Sequence, residues 1–474
     1  MKNVIFFILL MVFADNASAQ NWIEPVNVSN MNDFILSSDF TIDHNGIIHC
    51  VWNLKYENNY GVIYYASSED GGITWTNPLS ISQNEDLYCT GPQIVNDSDN
   101  KLYVGYDLYD FSPVTWGVYA TIVINEGSGW GEPLQLAEGM KTRLAVDNNN
   151  RVYVFWYQGA PHNGEFCYQY LEGGFWSEIF IPFDNSNELT GIWEIVTDND
   201  NNLHCAGFYD PTAFSNIRPA YYKFDYNTQS WDTISIISQN TSVSNIDIAL
   251  DTYQNPHICW GGYATYYNYF NGQNWSLADT VGQPDTQHIE IDVDEAGKVH
   301  IAAVEGFNNV GNLVYYHRPD GLYWDSTIVA QAGNTIFTPE FEIHNNSLYL
   351  VYKSSDQPGY GDVYLTRHDD LVSTKGNYFS DITSAMQIQN KPNPFKHYTS
   401  IDFSIKKSCY VKLEIRNSMG HHVVTLIDDY LTYDNYSIKW VGVNNNGKKV
   451  PPGLYLYCLH ANESHIVKKI LYCP

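Results

Sequence analysis

Seven copies of one short pattern run along the chain, each reading as an apolar strand, an Asp/Asn/Gly turn and a second apolar strand. The copies are Thr41–Trp52 (TIDHNGIIHCVW), Val95–Tyr106 (VNDSDNKLYVGY), Ala145–Trp156, Val196–Phe208, Ala249–Trp260, Asp292–Ala303 and Glu342–Tyr352. Aligned on the residue after the turn, the anchors are His49, Tyr103, Tyr153, His204, His257, His300 and Tyr349, spaced 43 to 54 residues apart. Each unit then carries a Tyr-rich strand, a Gly-containing turn and a Trp, in the series Trp75, Trp130, Trp176, Trp231, Trp275 and Trp324. Two hairpins per unit make the four strands of a propeller blade, and a period of this length belongs to that architecture. The seventh Trp lies at the other end of the chain, because NWIEPVNVS (Asn21–Ser29) matches WTNPLSIS from Trp75 and WGEPLQLA from Trp130. Residues 20–380 are therefore expected to form a seven-bladed β-propeller in which Trp22 opens the outermost strand of the last blade. Closing the ring in this way removes open sheet edges.

The first residues, MKNVIFFILLMVFADNASAQ, combine Lys2, an apolar run from Val4 to Phe13, and small residues at Ala17 and Ala19. They read as a signal peptide over 1–19, with an N-terminal anchor as the competing reading. No later run is long enough to span a bilayer, so the mature chain is expected to be secreted or attached to the outer-membrane surface.

Charge divides unevenly along the chain. From Thr383 onward there are 11 Lys+Arg and 6 Asp+Glu. Setting these aside, with Lys2 and Asp15, from totals of 24 and 53 leaves 12 basic and 46 acidic residues, a net charge of −34 over the repeats. Such a field repels nucleic acid and makes neutral glycans, cations or basic partners the more natural ligands. Of the eight cysteines, Cys50, Cys205 and Cys259 lie in apolar strands of different blades and read as small hydrophobes, while Cys458 has Cys409 or Cys473 as possible partners.

Ser68–Trp75, SEDGGITW, resembles the Asp-box of the sialidase-like, BNR-repeat propellers. The resemblance assigns structural roles to Ser68, Asp70, Gly72, Thr74 and Trp75: Asp70 caps the turn, Gly72 supplies an unusual backbone angle and Trp75 packs between sheets. It extends over the repeats, where later copies such as NEGSGW and FNGQNW are degenerate. The arginine triad and early Arg-Ile-Pro motif of sialidases are not visible, so sialidase activity is not expected.

The tail resembles the C-terminal sorting domain of the type IX secretion system, a small immunoglobulin-like β-sandwich. The matching residues are Pro392-Asn393-Pro394-Phe395, Gly420 after Ile415-Arg416-Asn417, Trp440 before Gly442, Gly447, Pro452-Gly453-Leu454-Tyr455 and Lys468-Lys469. The resemblance implies a linker at 381–390, a sorting sandwich at 391–474 and the type IX machinery as a partner. An ordinary adhesive sandwich is the alternative.

Counting back four residues from each turn Asp reaches the start of the innermost strand. The positions are Asp39, Gln93, Arg143, Glu194, Asp247 and Glu290, with Glu340 the seventh after a contracted turn. Strand alternation points these residues, and Thr41, Val95, Ala145, Val196 and Ala249 two further on, toward the axis, while Phe40, Ile94, Leu144, Ile195, Ile248 and Ile291 pack between blades. Crowded carboxylates raise one another's pKa, as a general acid requires. Glu194, Asp247 and Glu290 are thus acid/base candidates, and Asp39, Gln93, Arg143 and Glu340 ligand-binding ones, with Arg143 for an anionic group. A hydrated polar funnel or a bound cation competes with this reading.

The His anchors read as structural residues whose ring nitrogens bond to the backbone, with no metal expected. NDSDN and DNDNN read first as hairpin turns, leaving calcium open and no other cofactor implied. Two functions remain: a recognition module for glycans, and a carbohydrate-active enzyme, either glycoside hydrolase or polysaccharide lyase.

Overall fold

In a computed structural model, the described residues are 22–369 and 388–474, except 32, 57–60, 83–86, 112–116, 159–164, 183–188, 211–216, 239–242, 283–284, 308–309, 319–323, 332–334, 358–359, 406–408, 418–421, 433, 446 and 462–463. The leader at 1–19, Gly420 and most of the 381–390 stretch lie outside them. The chain divides into two compact units, Met1–Leu371 and Val372–Pro474. Among the described residues every regular element is a strand.

The first unit opens on β1 (Val26–Asn27) and then lays down strands in sets. The first set is β2 (Ile35–Ile42), β3 (Ile48–Lys55), β4 (Gly61–Ser68) and β5 (Leu79–Ser80); the second is β6 (Tyr88–Asn96), β7 (Leu102–Asp110), β8 (Gly117–Asn125) and β9 (Leu134–Glu138). The third is β10 (Met140–Val146), β11 (Val152–Gln158), β12 (Glu165–Glu172) and β13 (Phe175–Trp176). The fourth is β14 (Leu189–Thr197), β15 (Leu203–Asp210), β16 (Arg218–Asp225), β17 (Ser230–Trp231) and β18 (Ser235–Ile236). Then come β19 (Ile246–Leu250), β20 (Pro256–Trp260), β21 (Tyr266–Tyr269) and β22 (Asp279–Thr280), followed by β23 (Thr286–Val293), β24 (Val299–Phe307), β25 (Val310–His317) and β26 (Asp325–Ala330). The last is β27 (Thr335–His344), β28 (Ser347–Gln357) and β29 (Tyr360–His368), which takes β1 as its fourth strand.

Each set is an antiparallel meander, and its first strand lies beside the first strands of the neighbouring sets. The seventh set returns to the first, since β27 lies against β2, so the sheets form a β-propeller around a central channel. Val26 pairs with Leu365 and Asn27 with Tyr364, and Trp22 bridges to His368. The rings repeat the joint between sheets: Trp130 stands edge-on to Tyr65 at 5.0 Å, Trp275 to Tyr221 at 5.2 Å, Trp324 to Tyr267 at 5.3 Å and Trp22 to Tyr315 at 5.4 Å. Edge-to-face pairs at such separations add about 0.5–1.5 kcal/mol each to the burial of their area. Phe40, Ile94, Leu144, Ile195, Ile248 and Ile291 are all buried between sheets.

The turns between first and second strands follow one rule. In six of them the Asp Oδ1 accepts two backbone amides, as Asp43 does from Asn45 at 2.9 Å and Ile47 at 2.8 Å. The seventh turn is contracted to Asn345 and Asn346, both with positive φ. The turns also hold one another: His44 N donates to Asn100 Oδ1 at 3.0 Å, Ser98 N to Asn150 Oδ1 at 3.0 Å and Asn148 N to Asn201 Oδ1 at 2.9 Å. Each accepting Asn has a φ of 59° to 66°, a left-handed conformation that Asn tolerates, so one residue type closes its own turn and latches the sheet before it.

The His anchors differ from the expected backbone bonding. Each His places one ring nitrogen near the turn Asp and the other on a Tyr hydroxyl: His204 lies 3.0 Å from Asp198 and 2.7 Å from Tyr221, and His49, His257 and His300 repeat this with Tyr65, Tyr267 and Tyr315. Where Tyr replaces His, as in Tyr103 and Tyr153, its hydroxyl donates to the turn Asp directly.

In the second unit β30 (Ile388–Lys391), β31 (Thr399–Ile405) and β34 (Asp434–Trp440) form one sheet; β32 (Cys409–Asn417), β33 (His422–Leu431), β35 (Gly453–Ala461) and β36 (Ser464–Tyr472) form another. β30 thus starts inside the stretch read as linker. One core, including Phe395, Leu413, Trp440 and Tyr472, serves both sheets. The Pro-Asn-Pro-Phe stretch runs along the last strand: Asn393 Nδ2 donates to Lys469 O at 2.8 Å, and Leu471 N donates to Asn393 Oδ1 at 2.8 Å. Phe395 then stacks on Tyr472 at 4.7 Å. Cys473 is a free, exposed thiol.

Candidate functional site at the channel mouth

Six of the seven inner strands carry a register shift at or just before the ring position, between Ile35/Ser38, Thr90/Gln93, Met140/Arg143, Ile192/Glu194, Thr286/His288 and Phe337/Glu340. Bulges re-aim the side chains that follow them. Here they bring the ring residues of successive sheets to the same edge.

That edge is the first strand of each sheet, whose outward amides have no ladder partner. The ring side chains supply one. Asp39 accepts Phe40 N at 2.8 Å on Oδ1 and, on Oδ2, Ile94 N of the next sheet at 2.6 Å. Gln93 Oε1 accepts Leu144 N at 2.5 Å, and Asp247 accepts Ile248 N and Ile291 N, both at 2.6 Å. Arg143 inverts the polarity, its Nε donating to Trp193 O at 2.7 Å and to Glu194 Oε1 at 3.2 Å. Two positions deeper, Asp292 accepts Ile343 N at 2.9 Å and Glu342 accepts Ile42 N at 3.1 Å. Asp292 and Glu342 were not singled out from the sequence, although extending the two-residue step to the last two repeats reaches them.

Asp247 is buried and the other ring carboxyls are partly buried, and desolvation is the largest influence on each. It pushes Asp39 up to about 7, Asp247 to about 8, Asp292 to about 6 and Glu342 to about 8. Burial first drives Glu290 and Glu340 well above the usual carboxylate range, followed by the charges of Glu340, Asp247 and Glu194 on Glu290 and of Asp39, Glu194 and Asp247 on Glu340. Glu194 is raised by burial and held back by Arg143, with Gln93 Nε2 donating to it at 3.3 Å. Among the described residues no group of three or more His, Cys, Asp or Glu side chains could hold a metal ion.

The mouth also holds residues the sequence pattern did not mark. Lys141, in the bulge before Arg143, has a φ of 58°, unusual for a long side chain. Buried Asp107 of the preceding sheet maintains it, accepting Lys141 N at 2.8 Å, Thr142 N at 2.9 Å and Thr142 Oγ1 at 2.7 Å. Lys141 Nζ then stands 4.7 Å from the Trp193 ring centroid. Burial first, and then the charge of Arg143, lower the Lys141 pKa. Nothing in the local sequence announces a left-handed lysine, so only the fold reveals this pair.

Ser68, Asp70, Gly72, Thr74 and Trp75 form a separate turn between β4 and β5. Asp70 accepts Ser68 Oγ at 2.9 Å, Thr74 N at 2.8 Å and Thr74 Oγ1 at 2.6 Å; these bonds, led by the Thr74 hydroxyl, hold its pKa down to about 2. Gly72 N donates to Ser68 Oγ at 2.9 Å and Trp75 Nε1 to Gly72 O at 3.1 Å.

The sequence matches no family model and no curated protein. In fold it is similar to the solved structure of a polysaccharide lyase, an ulvan lyase, with a TM-score of 0.53 at 12% identity over 74% of this chain and 95% of that one. It is likewise similar to an ulvan lyase bound to -[GlcA(1-4)Rha3S]-, with a TM-score of 0.51 at 13% identity over 74% and 95%. A third structure is an α-L-arabinanase of Penicillium chrysogenum complexed with arabinobiose, at 0.47 and 11% over 73% and 98%. At these identities the likeness is one of fold.

Proposed function

We propose that this chain is an exported, seven-bladed, sialidase-like propeller that recognises glycans at the mouth of its channel, followed by an immunoglobulin-like sandwich that serves as a type IX sorting signal. The observation that carries the recognition reading is the Lys141–Trp193–Arg143 arrangement. An indole face suits the apolar side of a sugar ring, and two adjacent cations suit an acidic substituent on it. Such a site offers a local exception to the net charge of −34 over the repeats. The ring carboxyls support binding more than turnover, because Asp39 and Asp247 have both oxygens on backbone amides.

The enzyme reading is kept for one reason. Burial and neighbouring ring carboxyls raise Glu290 and Glu340 well above the usual carboxylate range, the direction a general acid needs. The similar fold of an ulvan lyase agrees with a saccharide ligand under either reading.

Incubating the full-length protein with polyuronates, sulfated polysaccharides and neutral polysaccharides, while following both retention and new reducing or unsaturated ends, separates the two. Retention without new ends, weakened in Lys141→Ala, is expected. New ends that disappear in Glu290→Gln would transfer the assignment to an enzyme, and no retention of any glycan would end the glycan reading.

A further inference from the structure

A row of aromatic rings crosses three sheets at the end of the propeller where the inner strands begin. Phe34 precedes β2, Lys55 ends β3, Tyr88 begins β6, Tyr109 and Phe111 lie at the end of β7, and Tyr360 begins β29. Tyr360 meets Phe34 edge-on at 5.9 Å. Lys55 Nζ stands between two rings, 5.7 Å from Phe34 and 5.6 Å from Tyr88, and its backbone amide donates to Phe34 O at 2.8 Å. Tyr88 lies 5.6 Å from Tyr109 and is stacked with Phe111 at 6.5 Å, and Tyr109 and Phe111 are stacked at 6.0 Å. The two ends face solvent, Phe111 at 48% and Tyr360 at 40% exposure.

A fully internal cluster would bury its ends, and a scatter of surface apolar residues would not run in contact from sheet to sheet. The row is also tied to the mouth. Phe34, just before β2, and Tyr88, at the start of β6, each lie five residues before a ring position, Asp39 and Gln93. A chain held at the mouth therefore has a continuous path onto the row.

We propose that this row is a second binding site, an extended platform for further sugars of an acidic polysaccharide whose end or internal unit is held at the mouth. The ring faces take the apolar faces of successive sugars, and Lys55 takes a carboxylate or sulfate between them. This rests on the glycan reading above and adds a length requirement to it. Polymer should bind more tightly than the short fragment that fills the mouth alone.

The test is titration of the full-length protein with a polyuronate and with its di- and trisaccharides, in wild type and in Phe111→Ala and Lys55→Gln. The expected result is a loss of about tenfold in polymer affinity in each variant, with fragment affinity unchanged. Phe111 is half exposed, so its variant should keep the wild-type unfolding midpoint, and Lys55→Gln preserves length if it does not. Equal polymer affinity in wild type and both variants, or an equal loss for polymer and fragments, overturns the platform and leaves the mouth intact. If wild type binds neither polymer nor fragments, the glycan reading itself fails and the platform with it.

Discussion

The Oδ2 atom of Asp247 stands 2.6 Å from the backbone nitrogen of Ile291, so an amide on the edge of one sheet ends in the carboxylate of the sheet before it. The same relation joins Asp39 to Ile94, Asp292 to Ile343 and Glu342 to Ile42. A propeller must satisfy the free edge of every innermost strand, and these side chains do so while packing the sheets into a ring.

Asp247→Ala should therefore lower stability. It strips two amides of their acceptor, Ile248 and Ile291, at a cost of about 1–3 kcal/mol for a buried unsatisfied group. Urea unfolding of the purified protein measures it. A midpoint equal to wild type would mean that water replaces the carboxylate, and the tether would have no energetic role.

The ring also sets a pH dependence. Burial raises Asp247 to about 8 from 3.8 and Glu342 to about 8 from 4.5, so the native state holds protons that the unfolded chain has released. With the unfolded state binding fewer protons, stability falls as pH rises, and the fall ends once the folded values are passed. Buried histidines such as His204 and His257 are lowered by burial and act oppositely, but only below their unfolded value of about 6.5. Between about pH 6.5 and 8 the decline should be clear, and Asp247→Asn should flatten it. Denaturation curves across that range that rise with pH in wild type would contradict the raised values.

Gly72→Ala tests the turn between β4 and β5. Gly72 has a φ of 90°, and a Cβ there would meet Leu365 Cδ2 of the neighbouring sheet at 2.5 Å. Left-handed strain plus the clash predicts a loss of about 1–3 kcal/mol, read as a lower thermal midpoint. The exposed Asp70 carboxylate beside it is a poorer probe, since it faces solvent.

The ring closure can be tested by beginning the chain at Asn30. This removes β1 together with the bonds from Val28 N to Val363 O and from Ser29 Oγ to Asp362 Oδ1, both 2.8 Å. The seventh sheet would lose its outer strand and the Trp22–Tyr315 contact. A destabilisation of about 4 kcal/mol or more is expected, with early proteolysis in 335–369. Unchanged protease resistance would show that the ring does not need the N-terminal segment.

Much of this was legible in the residues. The Asp turn is local chemistry, two amides on one Oδ1, and it recurs wherever Asp precedes the amides two and four residues on. The alternation that puts Asp39 toward the axis and Phe40 between sheets is a consequence of the strand period alone. What the pattern could not carry was partner choice. The histidines bond to Asp and Tyr because the third strand of their own sheet brings Tyr65 or Tyr221 alongside, a pairing set by the register of the adjacent strand.

The ring residues show where that boundary falls. Their type and spacing are local, so Asp39, Gln93, Arg143, Glu194, Asp247, Glu290 and Glu340 could be named from the repeat. Whether a carboxylate there is a free acid or a tether depends on which amide the next sheet presents, and that is a distance between strands some 50 residues apart. The same holds for Lys141, whose backbone angle is imposed by Asp107 across the sheet boundary. The amino-acid sequence alone determined the repeat, its turns and the identity of the channel lining. Packing of the sheets into a closed ring decided which of those side chains are spent on holding it together and which stand open at the mouth, because hydrogen bonds between sheets form only at the separations the closed ring imposes.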